Sequence, residues 1–281
     1  MNEVAAPARI VLIAGPVKER DRRGHHDYLG GCRLLAQLLA RTPGVEPVVV
    51  ADGWPEDAAL LDGAAALVFY DKGGGRQGFL ATPERVRRLE QAAAGGAGLI
   101  MIHQTVGFPD AHRALGTRLL GGVYASGVSR RGHWRSRHSG FPDHPVTRGV
   151  EAWRIRDGWL NGIAFRQGLD GITPLLWSGR RAGGSPAGGE QDIVAWAFDR
   201  PDGGRSFVFT GLDAHSAWAH AGLRRLVVNG ILWSAGAAIP AGGAPVETDA
   251  TALDACLTPR RSPLAALPGK LLHKLAAGRR W

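Results

Sequence analysis

Short, uninterrupted apolar runs, each closing on a polar residue or glycine, set the strongest limit on what this chain can fold into. Ile10-Val11-Leu12-Ile13-Ala14-Gly15, Ala65-Ala66-Leu67-Val68-Phe69-Tyr70 and Ala97-Gly98-Leu99-Ile100-Met101-Ile102 read as strands buried on both faces. Val48-Val49-Val50 reads as a further strand. Leu34, Leu35, Leu38 and Leu39 recur at helical spacing between them, and Thr82-Pro83 opens a second helix whose apolar face is Val86, Leu89 and Ala93. Threonine can cap such a start, and proline is tolerated at the first helical position. This alternation predicts an α/β domain with a mostly parallel central sheet.

The third run ends in His103-Gln104-Thr105. In open α/β sheets, ligands bind just outside the carboxyl ends of the strands, so an imidazole there is either a site residue or a hydrogen-bonded rim residue. Gly24-His25-His26-Asp27 on the loop after the first strand is either a second contribution to a site or a solvated connector. Asp213 and His215 follow the run Ser206–Thr210. That run and Ile193–Phe198, joined through the turn Asp202-Gly203-Gly204, form an expected hairpin. A closing helix carries Leu223, Leu226, Val227, Gly230 and Ile231 on one stripe. Between Gly107 and about Gln191 the sequence loses regular periodicity and becomes rich in Gly, Arg, His and Trp. It reads as an excursion over the sheet, and segments of that length are uncommon unless functional or disordered.

Composition narrows the class. The 281 residues, 44% hydrophobic and 21% charged, suit a soluble globular protein. No apolar run reaches the ~20 residues of a membrane helix, and Met1-Asn2-Glu3 does not begin a secretory signal. Two cysteines, Cys32 and Cys256, provide neither a disulfide framework nor a CxxC metal motif, which points to a cytoplasmic protein with free thiols. The net charge of +9 gathers in Arg130, Arg131, Arg135 and Arg137 and in a basic end from Arg260 to Arg280. No nucleic-acid-binding motif accompanies either cluster, so specific nucleic-acid binding is not expected. Gly73-Gly74-Gly75 lacks the closing residues of a P-loop, and no GxGxxG follows the first strand, so no nucleotide cofactor is expected. After Pro240 the chain reads as a tail (241–281), in which Leu264 to Leu275 with Lys270 and Lys274 can form a basic amphipathic helix.

These residues, in this order, resemble the ThuA-like (trehalose utilisation) family, which has the class I glutamine amidotransferase-like fold. The resemblance spans about residues 9–240. It rests on Gly24-x-His26-Asp27, Gly31-Cys32, Asp52-Gly53-Trp54-Pro55, Asp71 with Gly73-Gly74-Gly75-Arg76, and Gly98 through His103. It continues through His133-Trp134, His144-Pro145-Val146-Thr147-Arg148-Gly149, Asp157 with Trp159, Trp196, Gly203-Gly204-Arg205, Gly211 with His215 and Trp218, and Asn229. It implies a flavodoxin-like three-layer α/β/α domain over 8–240 and a role in carbohydrate catabolism, often beside dehydrogenases that make 3-keto-glycosides. Amidotransferases of this fold place a nucleophilic cysteine after the central strand. His103 stands there in this chain, so glutamine hydrolysis is not expected.

Three departures from the family pattern matter. Glu and His commonly flank the His26 equivalent, where this chain has His25 and Tyr28. Glu commonly follows the Asp157 equivalent, where this chain has Gly158. A Gly-Gly-His-x-His segment commonly follows the last strand, where this chain has Gly211-Leu212-Asp213-Ala214-His215. The expectation is an enzyme acting on a small carbohydrate or keto-glycoside: a sugar isomerase, lyase or hydrolase. His103 and His26 are the expected acid/base residues. Arg76, His133, Trp134 and Asp71 are expected to bind substrate, and His26, Asp213 and His215 to hold a divalent metal such as Zn or Mn. The alternative is a carbohydrate-binding or regulatory module that has lost part of the family site. A homo-oligomer is compatible with either.

Overall fold

The computed structural model describes residues 6–16, 23–179 and 189–259. Among these described residues, eleven strands and five α-helices follow in chain order. They are β1 (Ala8–Ala14), α1 (Tyr28–Leu39), β2 (Val45–Val50), β3 (Ala66–Tyr70), α2 (Pro83–Ala94), β4 (Gly98–Ile102), α3 (Arg113–Leu120) and β5 (Gly122–Val123). Then come β6 (Arg130–His138), β7 (Trp153–Asn161), β8 (Ala164–Phe165), β9 (Ile172–Trp177), β10 (Ile193–Asp199), β11 (Arg205–Phe209), α4 (Ala221–Ser234) and α5 (Ala250–Cys256).

The expected apolar runs form the centre of a seven-stranded sheet in the order β2-β1-β3-β4-β11-β10-β9. Neighbours from β2 to β11 run parallel, and β10 is antiparallel to both β11 and β9. Every residue of β3 and β4 is buried, which is why those strands are continuously apolar rather than alternating. Leu34, Leu35 and Leu38 of α1 and Leu223, Val227 and Ile231 of α4 share one core with one sheet face. Leu89 and Ala93 of α2 and Leu119 and Leu120 of α3 cover the other. This is the flavodoxin-like three-layer α/β/α sandwich.

Local chemistry fixes the ends of these elements. Asp27 caps α1 by accepting from Gly30 N at 3.0 Å, and Thr82 caps α2 by accepting from Arg85 N at 3.3 Å. Each such cap contributes about 1 kcal/mol. The turn between β10 and β11 is pinned by the buried Arg200. Its guanidinium binds Asp202 in the turn and donates to Ala93 O and Ala97 O, each at 3.0 Å, tying the hairpin to the α2–β4 connection.

Two expectations change. Over its described residues, the segment from Gly107 to Gln191 is not irregular. It contains α3, supplies β9 to the main sheet, and raises a two-stranded antiparallel ribbon in which β6 pairs with β7 over nine registered rungs, from Arg130↔Asn161 to His138↔Trp153. Trp153, Ile155, Asp157 and Trp159 alternate with charged or small residues, a period-2 pattern that buries one ribbon face. The folded body also continues past Pro240. Ala244 and Val246 are buried, Arg224 Nε donates to Val246 O at 2.9 Å, and Asn229 on α4 accepts from Ala244 N at 2.9 Å. Thr258 closes back on the α1 cap, its N and Oγ1 donating to Asp27 at 2.9 and 2.5 Å. The amphipathic stretch expected at Leu264–Leu275 lies outside the described residues. No helix among the described residues is long and apolar enough to cross a membrane.

Candidate functional site

Three segments leaving the carboxyl edge of the parallel strands meet at one carboxylate. The loop after β1 carries His25 and His26, β4 runs directly into His103, and Asp213 lies four residues beyond the end of β11. The first loop is joined to the third by backbone pairing. His26 N donates to Asp213 O at 2.9 Å, and His215 N donates to Gly24 O at 2.6 Å. The ribbon brings His133 down from above.

Asp213 Oδ1 lies 2.8 Å from His26 Nε2 and 3.2 Å from His103 Nε2. Its Oδ2 lies 2.8 Å from His133 Nε2 and 3.3 Å from His25 Nδ1. Four imidazoles thus surround one carboxylate that is only 6% exposed. Burial alone would raise the Asp213 pKa. The imidazoles of His103, His26 and His133 outweigh it and hold the carboxyl well below the usual range, so Asp213 stays ionised.

His103 is oriented by its other nitrogen. Nδ1 lies 3.1 Å from Thr210 O, and a carbonyl only accepts, so Nδ1 carries the proton. In the neutral ring, Nε2 is then a lone pair aimed at a carboxylate oxygen, and it has no hydrogen-bond partner of its own. Two acceptors that close need a cation beside them: a second ring proton or a metal ion. His26, His103 and Asp213 place one ligand atom each within 4.8 Å of one another. Separations of 2.8 and 3.2 Å match adjacent ligands around an ion with bonds of about 2.1 Å. The Nδ1–carbonyl bond is also the usual outer support of a metal-bound histidine. The donor set therefore fits a divalent ion.

The backbone pays for this convergence in strain. Among the described residues, His26, Asp52, His103, Leu169 and Leu212 are the non-glycines with positive φ, and three of these five belong to the site. Such conformations cost of order 1 kcal/mol each and persist where surroundings over-determine them. Asp157 on β7 is one such restraint. It accepts from Gly158 N at 2.9 Å, Asp213 N at 3.2 Å and Leu212 N at 2.6 Å, while Tyr70 Oη donates to Leu212 O. Burial raises the Asp157 pKa, and the charge of His103 and these amides oppose that.

The expected site residues separate accordingly. His26, His103, Asp213 and His133 come together. His215 does not: its Nε2 sits 3.0 Å from Leu253 O, against α5, so His103 takes its place in the ligand group. Asp71 turns back into its own loop, accepting from Lys72 N at 2.7 Å and Gly78 N at 2.8 Å. Trp134 points through the ribbon to Ser178 O at 3.3 Å, and Trp159 lines the cleft instead. Arg76 lines an adjoining cavity. Cys32 is fully buried in α1 with its thiol pKa raised by burial, far from nucleophilic character. His25 is an added member that the sequence placed on the right loop without a role.

Gly158 explains two of the departures together. A Cβ there would lie 2.7 Å from Asp213 Cβ and 3.0 Å from His133 Nε2. Positions 158 and 213 therefore compete for one space. In this chain the carboxylate comes from 213, and glycine at 158 makes room for it. The cleft over this centre has a volume of about 270 Å³ and is walled by His103, Gln104, His133, Trp159, Leu160 and Asp213.

The family model described as ThuA, trehalose utilisation, matches residues 17–234. The fold is similar to a ThuA-like protein from Bacteroides uniformis ATCC 8492, with TM-score 0.59 and 12% identity over 83% of this chain and 94% of that one. It is also similar to a ThuA-like protein from Parabacteroides merdae ATCC 43184, with TM-score 0.58 and 15% identity over 82% and 91%. No curated protein matches the sequence.

Proposed function

We propose a function from the premise that the chain belongs to the ThuA, or trehalose utilisation, family, whose members give it a carbohydrate-related role: it is an enzyme that moves protons on a sugar or keto-glycoside at the Asp213 centre. The observation that carries this is the single buried carboxylate shared by four imidazoles at the floor of a cleft. A cleft of about 270 Å³, walled by His103, Gln104, His133, Leu160 and Asp213, suits one sugar ring.

His26, His103 and Asp213 would hold a divalent metal through the Oδ1 corner. There the ion would polarise a substrate carbonyl or hydroxyl oxygen. With both of those ring nitrogens turned to that corner, proton transfer passes to His133. Its Nε2 is held by Asp213 Oδ2 at 2.8 Å, and its ring is about half exposed to the cleft. A carboxylate that fixes one ring nitrogen orients the imidazole, an arrangement that makes histidine an effective acid/base. A ketone acidifies the adjacent C–H, so isomerisation or elimination of a keto-glycoside needs this pair of functions. Gly158 and the cleft walls shape the space, while Asp157 and Tyr70 hold the Leu212-Asp213 turn.

The test is solvent-proton exchange followed by NMR in D₂O with a 3-keto-glucoside. The wild type should place deuterium at the carbon beside the ketone. H133Q should lose about 10²-fold or more in rate while keeping its metal, and H103A should lose both. Saccharide binding with no exchange and no product would make the chain a binding module instead.

A further inference from the structure

The ribbon face that carries His133 holds far more positive charge than proton transfer requires. Arg131, His133, Arg135 and Arg137 alternate along β6 and so share one side. Directly opposite on β7 stand Leu160, Gly158, Arg156 and Arg154 in the same order. Arg131, Arg135, Arg137, Arg154 and Arg156 are all exposed, and none makes an ion pair or side-chain hydrogen bond among the described residues. Arg135 faces Arg156 and Arg137 faces Arg154. Like charges directly opposite on a ladder are destabilising, so folding gains nothing from these rungs.

The reverse face of the ribbon is the packed one, with Trp153, Ile155 and Trp159 buried in the core. Among the described residues, the cationic side is therefore the open side of the ribbon. It is also continuous with the cleft. The His133–Gly158 rung sits at the Asp213 centre, the arginine rungs extend away from it at about 7 Å intervals, and Arg131 lies on its other side. There Arg131, Gln104 and Leu160 form a common wall with an adjoining cavity of about 510 Å³ that Arg76 and Tyr124 also line. The carboxylate in that cavity, Asp110, is paired with Arg113. Cations thus flank the reacting centre on both sides along one line.

We propose that the substrate is an acidic oligosaccharide, a glycan bearing carboxylate or sulfate groups on successive units. Its reacting unit occupies the His133–Asp213 cleft, and its neighbours lie against Arg135–Arg156 and Arg137–Arg154 on one side and Arg131 and Arg76 on the other. This rests on the carbohydrate reading above. The arginine face carries no aromatic side chain on which bases could stack, which disfavours single-stranded nucleic acid. Its other face is buried, so the ribbon cannot enter a DNA groove as a free element.

The experiment is calorimetric titration of the full chain with tetragalacturonate, a sulfated heparin tetrasaccharide, neutral cellotetraose and a short DNA duplex, at about 50 and about 300 mM NaCl. At least one acidic tetrasaccharide should bind about tenfold or more tighter than cellotetraose at low salt, with most of the advantage gone at high salt. Whichever acid binds better identifies the group. The R135A/R156A double variant should lose at least about fivefold for the acidic ligand, with cellotetraose unchanged. It should melt no lower than the wild type, because removing a like-charge rung costs the fold nothing. Equal affinity for acidic and neutral ligands, no loss in R135A/R156A, or DNA binding as tight as the acidic glycan would each overturn the proposal. Cellotetraose binding without an acidic advantage sinks this inference alone, whereas failure of every saccharide to bind sinks the carbohydrate reading with it.

Discussion

Replacing Gly158 by alanine should weaken both the fold and the site, even though Gly→Ala in a strand ordinarily helps. Removing a glycine from a strand interior is worth roughly 0.5–1 kcal/mol in backbone entropy. Against it stands a Cβ 2.7 Å from Asp213 Cβ, 2.9 Å from Asp213 Cγ and 3.0 Å from His133 Nε2. Ordinary contact needs several tenths of an ångström more, and the Asp213 backbone cannot retreat, because Asp157 holds the amides of Leu212 and Asp213. Overpacking of this kind costs about 1–3 kcal/mol, so the net effect is a loss centred on about 1 kcal/mol and reaching at most about 2.5 kcal/mol. The relief available is rotation of the Asp213 side chain, which breaks its 2.8 Å contact with His133. Urea unfolding measures the first effect, and Zn²⁺ or Mn²⁺ titration with deuterium exchange measures the second. Gly242→Ala is the control, since its Cβ would meet open space and should change stability by no more than about 0.5 kcal/mol. A Gly158→Ala protein as stable as wild type, with unchanged metal affinity and exchange, would refute the argument that 158 and 213 share one space.

Stability should also depend on pH through His138, which is packed against the Trp153 and Trp159 rings beneath the ribbon. Burial draws its pKa down to about 4 from 6.5. Between those values the unfolded chain binds more protons than the folded one, so stability falls as pH drops from about 6.5 and levels off below about 4. A gap of roughly 2.5 pH units corresponds to about 3 kcal/mol, and His138→Phe should remove that slope from chemical denaturation curves; superimposable pH profiles would contradict it. Arg200→Ala should cost about 3 kcal/mol, because Ala93 O and Ala97 O lose their buried donor, and should lower Tm by roughly 6–12 °C; a shift under about 2 °C would show the turn is held by other means.

Much of the scaffold is legible in the chain because buried parallel strands must be apolar throughout. The runs at 10–15, 65–70 and 97–102 and the Thr82-Pro83 helix start are examples. The ribbon is hidden because its apolar residues occupy alternate positions among arginines, so its composition imitates a loop while its period is that of a half-buried strand. The strand also decides the site: once 130–138 is extended, His133 and Trp134 must face opposite ways, and His133 is the one turned to Asp213. His215 lies away from the centre for a different reason. Asp213-x-His215 would share a side in extended chain, but His215 opens a 3-10 turn that carries its ring to Leu253 O. Asp71 looks available by its place after β3, yet a buried carboxylate between the amides of Lys72 and Gly78 is already satisfied. That Gly158 leaves room for the Asp213 carboxylate becomes visible only when both positions are seen to contest the same volume.

The central claim, that His26, His103 and Asp213 form one metal-holding corner, is tested most directly by titrating metal-stripped protein with Zn²⁺ and Mn²⁺ by calorimetry. One equivalent should bind the wild type and H215A alike, and D213A and H103A should each weaken it by about 10²-fold or more. Wild-type affinity in D213A and H103A, or loss of binding in H215A alone, would contradict the account.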